Sequence, residues 1–218
     1  MNTGCVIFDM DGLLIDSEPL WEQAGNAVLA GYGVTLTGEE YTSSVGLRTK
    51  EWIELWFEQY QIKAPVQEGI EAVETLATQY IVEKGSLMPG VAHTLSLLEE
   101  AGYTIGLASS SPMRLITAAV EQFKISQYFK VKSSAEHLEF GKPHPQVYIN
   151  CAKELGFQPH HCLAFEDSFN GMIAAKAARM KCIVVPAALF HSQVRWQAAD
   201  AQLKSLEEVT ADLIKSMF

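Results

Sequence analysis

The sequence contains no long apolar segment and little positive charge. No apolar run approaches the roughly 20 residues that a membrane-spanning helix needs, so we expect no membrane partner. Lys and Arg number 16 against 26 Asp and Glu, which gives a formal net charge of −10. Nucleic-acid-binding proteins present a basic face, so nucleic acid is not an expected partner either. The first Lys or Arg is Arg48, and without an earlier basic residue we expect no export signal and a cytoplasmic protein.

Cysteine is also scarce, and its spacing excludes two kinds of site. The four cysteines, Cys5, Cys151, Cys162 and Cys182, lie far apart in apolar surroundings and form no Cys-x-x-Cys pair. This pattern indicates buried, reduced side chains and neither a disulfide framework nor a zinc site. A chain of 218 residues with 48% apolar and 19% charged residues is typical of a globular protein, for which a monomer is the simplest expectation.

The second half of the sequence alternates between apolar runs and amphipathic stretches. The runs have the length and composition of buried strands and cover residues 5–8, 104–108, 128–132, 162–165 and 182–185. The stretches between them carry apolar residues at helical spacing, as from Leu115 to Phe123 and from Val147 to Leu155. Strand, helix and strand in this rhythm predict the α/β class, with a parallel sheet covered by helices on both faces.

One interval does not follow this rhythm. Residues 16–86 have helical patterns throughout, and aromatic residues from Trp52 to Tyr60 share one helical face. We interpret this face as the core of a small helical unit, with a dimer contact as the alternative. The sequence therefore predicts a core domain of residues 1–15 and 87–218 that carries an inserted helical domain of residues 16–86.

Acidic residues are concentrated at the end of the first predicted strand. The apolar run Cys5 to Phe8 leads directly into Asp9 and Asp11, and Gly12 permits a tight turn after them. Carboxylates at the end of a buried strand need a cation nearby, and a hard divalent metal is the obvious candidate. By itself, Asp-x-Asp-Gly is equally typical of an ordinary turn.

Three further segments place polar groups at or just beyond strand ends. Ser109 and Ser110 begin a loop that can hold an anion or simply cap a helix. Lys142 lies between Gly and Pro, although a surface lysine is the default interpretation. Glu166 and Asp167 end another strand, where Asp167 can also be a cap. Because carboxyl ends of parallel strands share one edge of a sheet, all four segments are expected to meet there.

This combination suits the hydrolysis of a phosphate monoester. A divalent metal and a lysine offset the repulsion between a phosphate dianion and an anionic nucleophile. One aspartate can then attack phosphorus while a second, held in a different environment, protonates the leaving alkoxide. Water finally opens the acyl phosphate.

These segments also resemble the four motifs of the haloacid dehalogenase superfamily, over essentially the whole chain. In chain order they are Asp9-Met10-Asp11-Gly12, Ser109, Lys142 and Glu166-Asp167. The resemblance implies a Rossmann-like core with a helical C1 cap inserted after the first motif. It also implies that Ser109 and Lys142 bind the transferring phosphoryl group, and Ser110 of the same loop is a further candidate for phosphate binding.

The resemblance further implies the catalytic and metal-binding residues. Asp9 would be the nucleophile and Asp11 the general acid/base. Mg²⁺ would be held by Asp9, by the backbone carbonyl of Asp11 and by Asp167, with Glu166 close by. The dehalogenase branch lacks the second motif aspartate, so Asp11 disfavours that branch.

Within the superfamily, residues 9–21 resemble the sugar-phosphate phosphatases related to β-phosphoglucomutase. Residues 166–180 are similar to bacterial hexitol and 2-deoxyglucose-6-phosphate phosphatases. Arg48 lies in a segment that resembles the substrate loop of the cap; it either meets the substrate there or is a solvated side chain. The implied function is hydrolysis of small sugar or polyol phosphates. A phosphomutase and a silent phosphosugar-binding protein remain alternatives, although Trp21 replaces a histidine that the mutases carry.

Overall fold

Among the residues described, six strands form one sheet. The computed structural model describes residues 4–44 and 46–218. The strands are β1 Cys5–Phe8, β2 Thr104–Ser109, β3 Val131–Ser134, β4 Cys162–Glu166, β5 Lys181–Val184 and β6 Ala201–Gln202. Their order across the sheet is β3-β2-β1-β4-β5-β6, and every pairing is parallel. The predicted α/β class with a parallel sheet is confirmed.

Four of the five predicted strands lie within one residue of the observed ones. The prediction for residues 128–132 is wrong by three residues, because β3 begins at Val131. Residues Ser126–Tyr128 instead form a short 3-10 helix. Tyr128 packs against the hydrophobic core from that helix. Its hydrophobicity therefore marks burial and not a strand.

Nine helices occur among the described residues. They are α1 Glu18–Ala30, α2 Gly38–Ser43, α3 Thr49–Gln59, α4 Val66–Lys84, α5 Val91–Glu100, α6 Met113–Gln122, α7 Gln146–Leu155, α8 Phe169–Ala177 and α9 Ala211–Ser216. Helices α1 to α4 all lie within residues 16–86, where the sequence predicts helical structure throughout. At α2, the Thr37 hydroxyl accepts from the Glu40 backbone while the Glu40 carboxylate accepts from the Thr37 backbone, and this reciprocal cap stabilises a six-residue helix.

The sheet is buried on both faces, as its apolar strands require. Alternate residues of β1 belong to different clusters: Val6 and Phe8 pack with residues of α5 and α6. Cys5 and Ile7 pack with residues of α7 and α8 on the other face. This arrangement fixes β1 in the middle of the molecule and holds the residue that follows it, Asp9, at the buried edge of the sheet.

Helices α1 to α4 build a separate hydrophobic cluster. Trp52, Trp56 and Phe57 of α3 are buried in it, together with Leu29 of α1 and Val73 of α4. The interpretation of the aromatic face as a helical core is thus confirmed.

The chain enters and leaves this helical region at one place. Ile15 forms an isolated antiparallel bridge with Leu87, and the Asp16 N–H donates to the Ser86 carbonyl over 2.9 Å. The division at residues 16–86 remains our prediction, and residues 1–3 of the predicted core range lie outside the described residues. None of the helices in the described ranges has both the length and the apolar composition needed to cross a membrane.

Candidate active site

The candidate site lies at the carboxyl edge of the sheet, between β1 and β4. Asp9 follows β1 directly, and its N–H donates to the Phe165 carbonyl of β4 over 3.0 Å. Glu166 is the last residue of β4, and Asp167 follows it. Strand order reverses at β1, which is where α/β sheets open a crevice for ligands.

Three carboxylates converge in this crevice. Asp9, Glu166 and Asp167 each offer one oxygen, and these oxygens lie within 4.8 Å of one another. Asp9 is 6% exposed and Glu166 fully buried. Negative charges so close together, away from water, require compensation by cations or hydrogen-bond donors.

Lys142 provides part of this compensation. Its Nζ lies 2.6 Å from Asp9 Oδ1 and 2.6 Å from Glu166 Oε1, and it donates to the Ala108 carbonyl over 3.2 Å. Burial alone would lower the pKa of Lys142, but Asp9 and Glu166 outweigh it and raise that pKa above its ordinary value. The lysine is therefore a permanent buried cation that joins β1 to β4.

Glu166 has donors on both of its oxygens. Besides Lys142, the Tyr148 hydroxyl donates to Oε1 over 2.6 Å. The Ser168 N–H and hydroxyl donate to Oε2 over 3.2 and 3.1 Å. With this set complete, Glu166 is suited to holding Lys142 in place.

Asp167 has the opposite surroundings. Its Oδ1 is buried without a hydrogen-bond partner among the described residues. Burial, followed by the charges of Asp9 and Glu166, raises the pKa of Asp167 well above its usual range. Its Oδ2 lies against Gly12, at φ 75°, where any side chain would collide with that oxygen.

A bound divalent cation fits these observations. Burial raises the pKa of Asp9 to about 8, and Glu166 adds to this rise while Lys142 opposes it. Hard cations prefer carboxylate and carbonyl oxygens. Asp9 and the unpartnered oxygen of Asp167 therefore have the chemistry of cation ligands.

Asp11 is held by four donors. The Ser17 hydroxyl and the Trp21 indole N–H donate to Oδ1 over 2.7 and 2.9 Å. The hydroxyls of Ser109 and Ser111 donate to Oδ2 over 3.3 and 2.7 Å. The four hydrogen bonds thus fix the orientation of the carboxylate, and the donors come from the start of α1, from the end of β2 and from the loop that follows β2.

The two serines that the sequence predicts to bind phosphate have different surroundings. Ser109 is fully buried; besides contacting Asp11, it accepts from the Ser111 N–H over 2.9 Å. Ser110 lines the crevice, and its buried hydroxyl has no partner among the described residues. Of the two serines predicted to bind phosphate, Ser110 has the free hydroxyl.

Arg48 lines the same crevice, but its guanidinium is engaged elsewhere. It donates to the carbonyls of Ala135, Leu138 and Glu139 over 3.2, 2.6 and 3.2 Å. It also forms an ion pair of 2.7 Å with Glu51. Arg48 is 8% exposed, so the solvated alternative is wrong. These contacts attach the start of α3 to the loop that precedes Lys142.

Replacing Arg48 with methionine is expected to lower the free energy of unfolding by about 2–3 kcal/mol, because three carbonyls and Glu51 lose a charged donor. Inorganic phosphate affinity should change less than about threefold. Denaturant unfolding and phosphate titration measure the two effects. Lys50→Met, at a lysine with a 62% exposed side chain, is the matched control. A tenfold loss of phosphate affinity at unchanged stability would show instead that Arg48 contacts the ligand.

Sequence reasoning did not assign Ser17, Glu18 or Ser111 to the site. Ser17 and Trp21 are four residues apart, so they share one face at the start of α1; this spacing after Asp11 was a usable signal. Ser111 belongs to a serine run in which nothing distinguishes the members before folding. Glu18 lies among other acids, and only the fold shows that it lines the crevice.

The chain resembles proteins whose activity is named. Residues 6–185 match the family described as haloacid dehalogenase-like hydrolase. The chain is 45% identical over 207 residues to hexitol phosphatase B of Escherichia coli strain K12, covering 94% of this chain and 93% of that protein. It is 30% identical over 178 residues to the phosphorylated carbohydrates phosphatase of Thermotoga maritima, covering 82% of each.

Solved structures agree with this placement. CbbY from Rhodobacter sphaeroides, crystallised with xylulose-(1,5)bisphosphate, superposes with a TM-score of 0.85 at 26% identity, covering 94% of this chain and 95% of CbbY. A putative β-phosphoglucomutase from Thermotoga maritima superposes with a TM-score of 0.75 at 28% identity, covering 99% of this chain and 100% of that one. The chain therefore belongs to the haloacid dehalogenase-like hydrolases.

Proposed function

We propose that the protein is a magnesium-dependent phosphatase that hydrolyses monoesters of small sugars or polyols through a phosphoaspartate at Asp9. The observation that carries this proposal is the crevice itself, where Asp9 is bridged to Lys142 and lies near Asp11 with its four donors. The relatives named as hexitol and phosphorylated-carbohydrate phosphatases support the substrate class.

In this proposal Mg²⁺ is held by Asp9, Asp167 and the backbone carbonyl of Asp11, and Glu166 keeps Lys142 between the strands. When bound, the ion neutralises charge on the phosphoryl group and favours the ionised form of Asp9. Lys142, Ser110 and Ser109 bind the phosphoryl oxygens. Among these groups, the hydroxyl of Ser110 needs no rearrangement to do so.

In the first step an Asp9 carboxylate oxygen attacks phosphorus, and the bond from phosphorus to the ester oxygen breaks. Asp11 donates its proton to the departing alkoxide. The Trp21 indole can only donate, so Oδ1 of Asp11 remains an acceptor. The transferable proton is then carried on Oδ2, whose partners Ser109 and Ser111 have hydroxyls that can also accept.

In the second step Asp11, now ionised, takes a proton from water, and the resulting hydroxide attacks phosphorus. The bond from phosphorus to Asp9 breaks and inorganic phosphate leaves. Residues 16–86 act as a cap in this proposal, since helices α1 to α3 supply the crevice wall opposite the sheet. An enclosed crevice admits small esters and excludes phosphoproteins.

A substrate panel tests the proposal. Phosphate release from hexose, pentose, polyol and triose phosphates should require Mg²⁺, fall by at least about 100-fold with excess EDTA, and return when Mg²⁺ is restored. Sugar or polyol phosphates should exceed phosphopeptides in kcat/KM. Absence of phosphate release from every ester would favour the silent binding protein and overturn the proposal.

The phosphomutase alternative differs in its product. Incubation with β-glucose 1-phosphate should yield glucose and free phosphate if water reaches the phosphoaspartate. Accumulation of glucose 6-phosphate would favour the mutase. Trp21 supports hydrolysis. Its indole N–H donates a hydrogen bond to Asp11 at the position where the mutases carry a histidine.

A further inference from the structure

The crevice has two unlike ends. At the sheet, Asp9, Asp167 and Lys142 form the phosphoryl end. Helices α1 to α3 and the segments between them line the rest of the crevice with residues that we call the tail wall, namely Glu18, Trp21, Tyr41, Leu47 and Trp52. The part of a phosphate ester that is not transferred must lie against this wall.

Among the residues that the structure describes, no free cation faces the part of the substrate that is not transferred. Among the described residues that line the crevice, the basic ones are Lys142 and Arg48. Lys142 is bound between Asp9 and Glu166, each at 2.6 Å. Arg48 is bound to Glu51 and to three backbone carbonyls. A second phosphate or a carboxylate on the substrate would therefore meet no available counter-charge.

Glu18 makes the tail wall acidic. It is half-buried at the start of α1, and no described residue donates a hydrogen bond to its carboxylate. Its side chain lies beside Gly12 and lines the crevice next to Asp167. A carboxylate in these surroundings is stabilised by any donor that a ligand brings.

The rest of the tail wall suits a carbohydrate. Trp21 and Trp52 present aromatic surface, and the Trp21 N–H is already used on Asp11. Sugar and polyol chains combine C–H groups, which pack on such surface, with hydroxyls, which donate to carboxylates.

We propose that Glu18 accepts hydrogen bonds from the hydroxyl groups of a singly phosphorylated sugar or polyol and disfavours substrates with a second anionic group, an inference that rests on the proposed phosphatase function. The first effect is attraction between a carboxylate and hydroxyl donors. The second is repulsion between like charges in a poorly hydrated crevice. Glu18 is thus a specificity-determining residue, and it takes no part in bond breaking.

The test compares three esters: sorbitol 6-phosphate, xylulose 1,5-bisphosphate and 4-nitrophenyl phosphate, which has no hydroxyl. Glu18→Ala should lower kcat/KM for sorbitol 6-phosphate by about 10- to 100-fold. Turnover of 4-nitrophenyl phosphate should stay within about threefold. Glu18→Gln keeps the shape and removes the charge, so the ratio of bisphosphate to monophosphate turnover should rise about tenfold.

Glu22→Gln is the matched control, since it removes the same charge from the same helix at a residue outside the crevice lining. It should leave unchanged both the kcat/KM for sorbitol 6-phosphate and the ratio of bisphosphate to monophosphate turnover. An equal loss on all three esters would assign Glu18 to the chemistry or the metal and overturn the inference. So would unchanged turnover of sorbitol 6-phosphate in Glu18→Ala. Wild-type protein that hydrolyses 4-nitrophenyl phosphate but not sorbitol 6-phosphate overturns the inference alone. Wild-type protein that hydrolyses none of the three overturns the proposed function as well.

Discussion

Replacing Asp9 with asparagine is expected to lower kcat for every accepted phosphate ester by at least about 1,000-fold. The amide cannot form the acyl phosphate, because it lacks the anionic oxygen that attacks phosphorus. Phosphate release under saturating substrate and Mg²⁺ measures the loss. A radiolabelled ester adds an independent readout, since acid quenching should trap label on the wild-type protein and none on the variant.

The variant should remain folded, which keeps this test interpretable. Lys142 would still be paired with Glu166 at 2.6 Å. The substitution also removes a buried carboxyl whose pKa burial raises to about 8, so no new unpaired charge is created. Asp16→Asn is the matched control, because Asp16 is an exposed acid of the same loop; it should keep full turnover. An Asp9→Asn protein with more than a tenth of the wild-type kcat would exclude Asp9 as the nucleophile.

The sequence predicts the sheet well where side chains are uniformly apolar. β1 and β4 read as short apolar runs because both of their faces are buried. The edge strand β3 is different: its residues 131–134 include Ser133 and Ser134, and the apolar residues that suggested a strand, Tyr128 and Phe129, lie just before it. An edge strand with polar side chains lacks the continuous apolar run by which buried strands are predicted, so the hydrophobicity pattern does not identify it.

The sequence predicts those site residues whose positions follow from the backbone topology of the sheet. Asp9, Asp11 and Asp167 reach one crevice because strand ends share an edge, and that rule needs no side-chain detail. The three backbone carbonyls that Arg48 contacts are 87 to 91 residues away in the chain, in a loop without regular structure. Its engagement there, like the open carboxylate of Glu18, depends on packing that no local pattern encodes.

Lys142→Met is expected to lower the free energy of unfolding by about 3–5 kcal/mol and turnover by at least about 100-fold. Methionine fills a similar volume, but it leaves Asp9 and Glu166 facing each other without the buried cation between them. Breaking a buried ion pair from one side is costly because the remaining charge cannot be solvated. Lys153→Met, at an exposed lysine of α7, removes the same charge and should change stability by less than about 0.5 kcal/mol.

The pH dependence of the stability loss in Lys142→Met distinguishes the loss of the buried cation from a packing defect. Burial raises the pKa of Asp9 to about 8, although the charge of Lys142 opposes this rise. Removing the Lys142 charge therefore raises the pKa of Asp9 further. A carboxyl with a raised folded pKa binds more protons folded than unfolded, and stability falls as pH rises through that window. Denaturant unfolding with EDTA should therefore show a larger deficit at pH 8.5 than at pH 5.5. An equal deficit at both values would point to lost packing, and no deficit at either would mean that Lys142 does not hold the two carboxylates together.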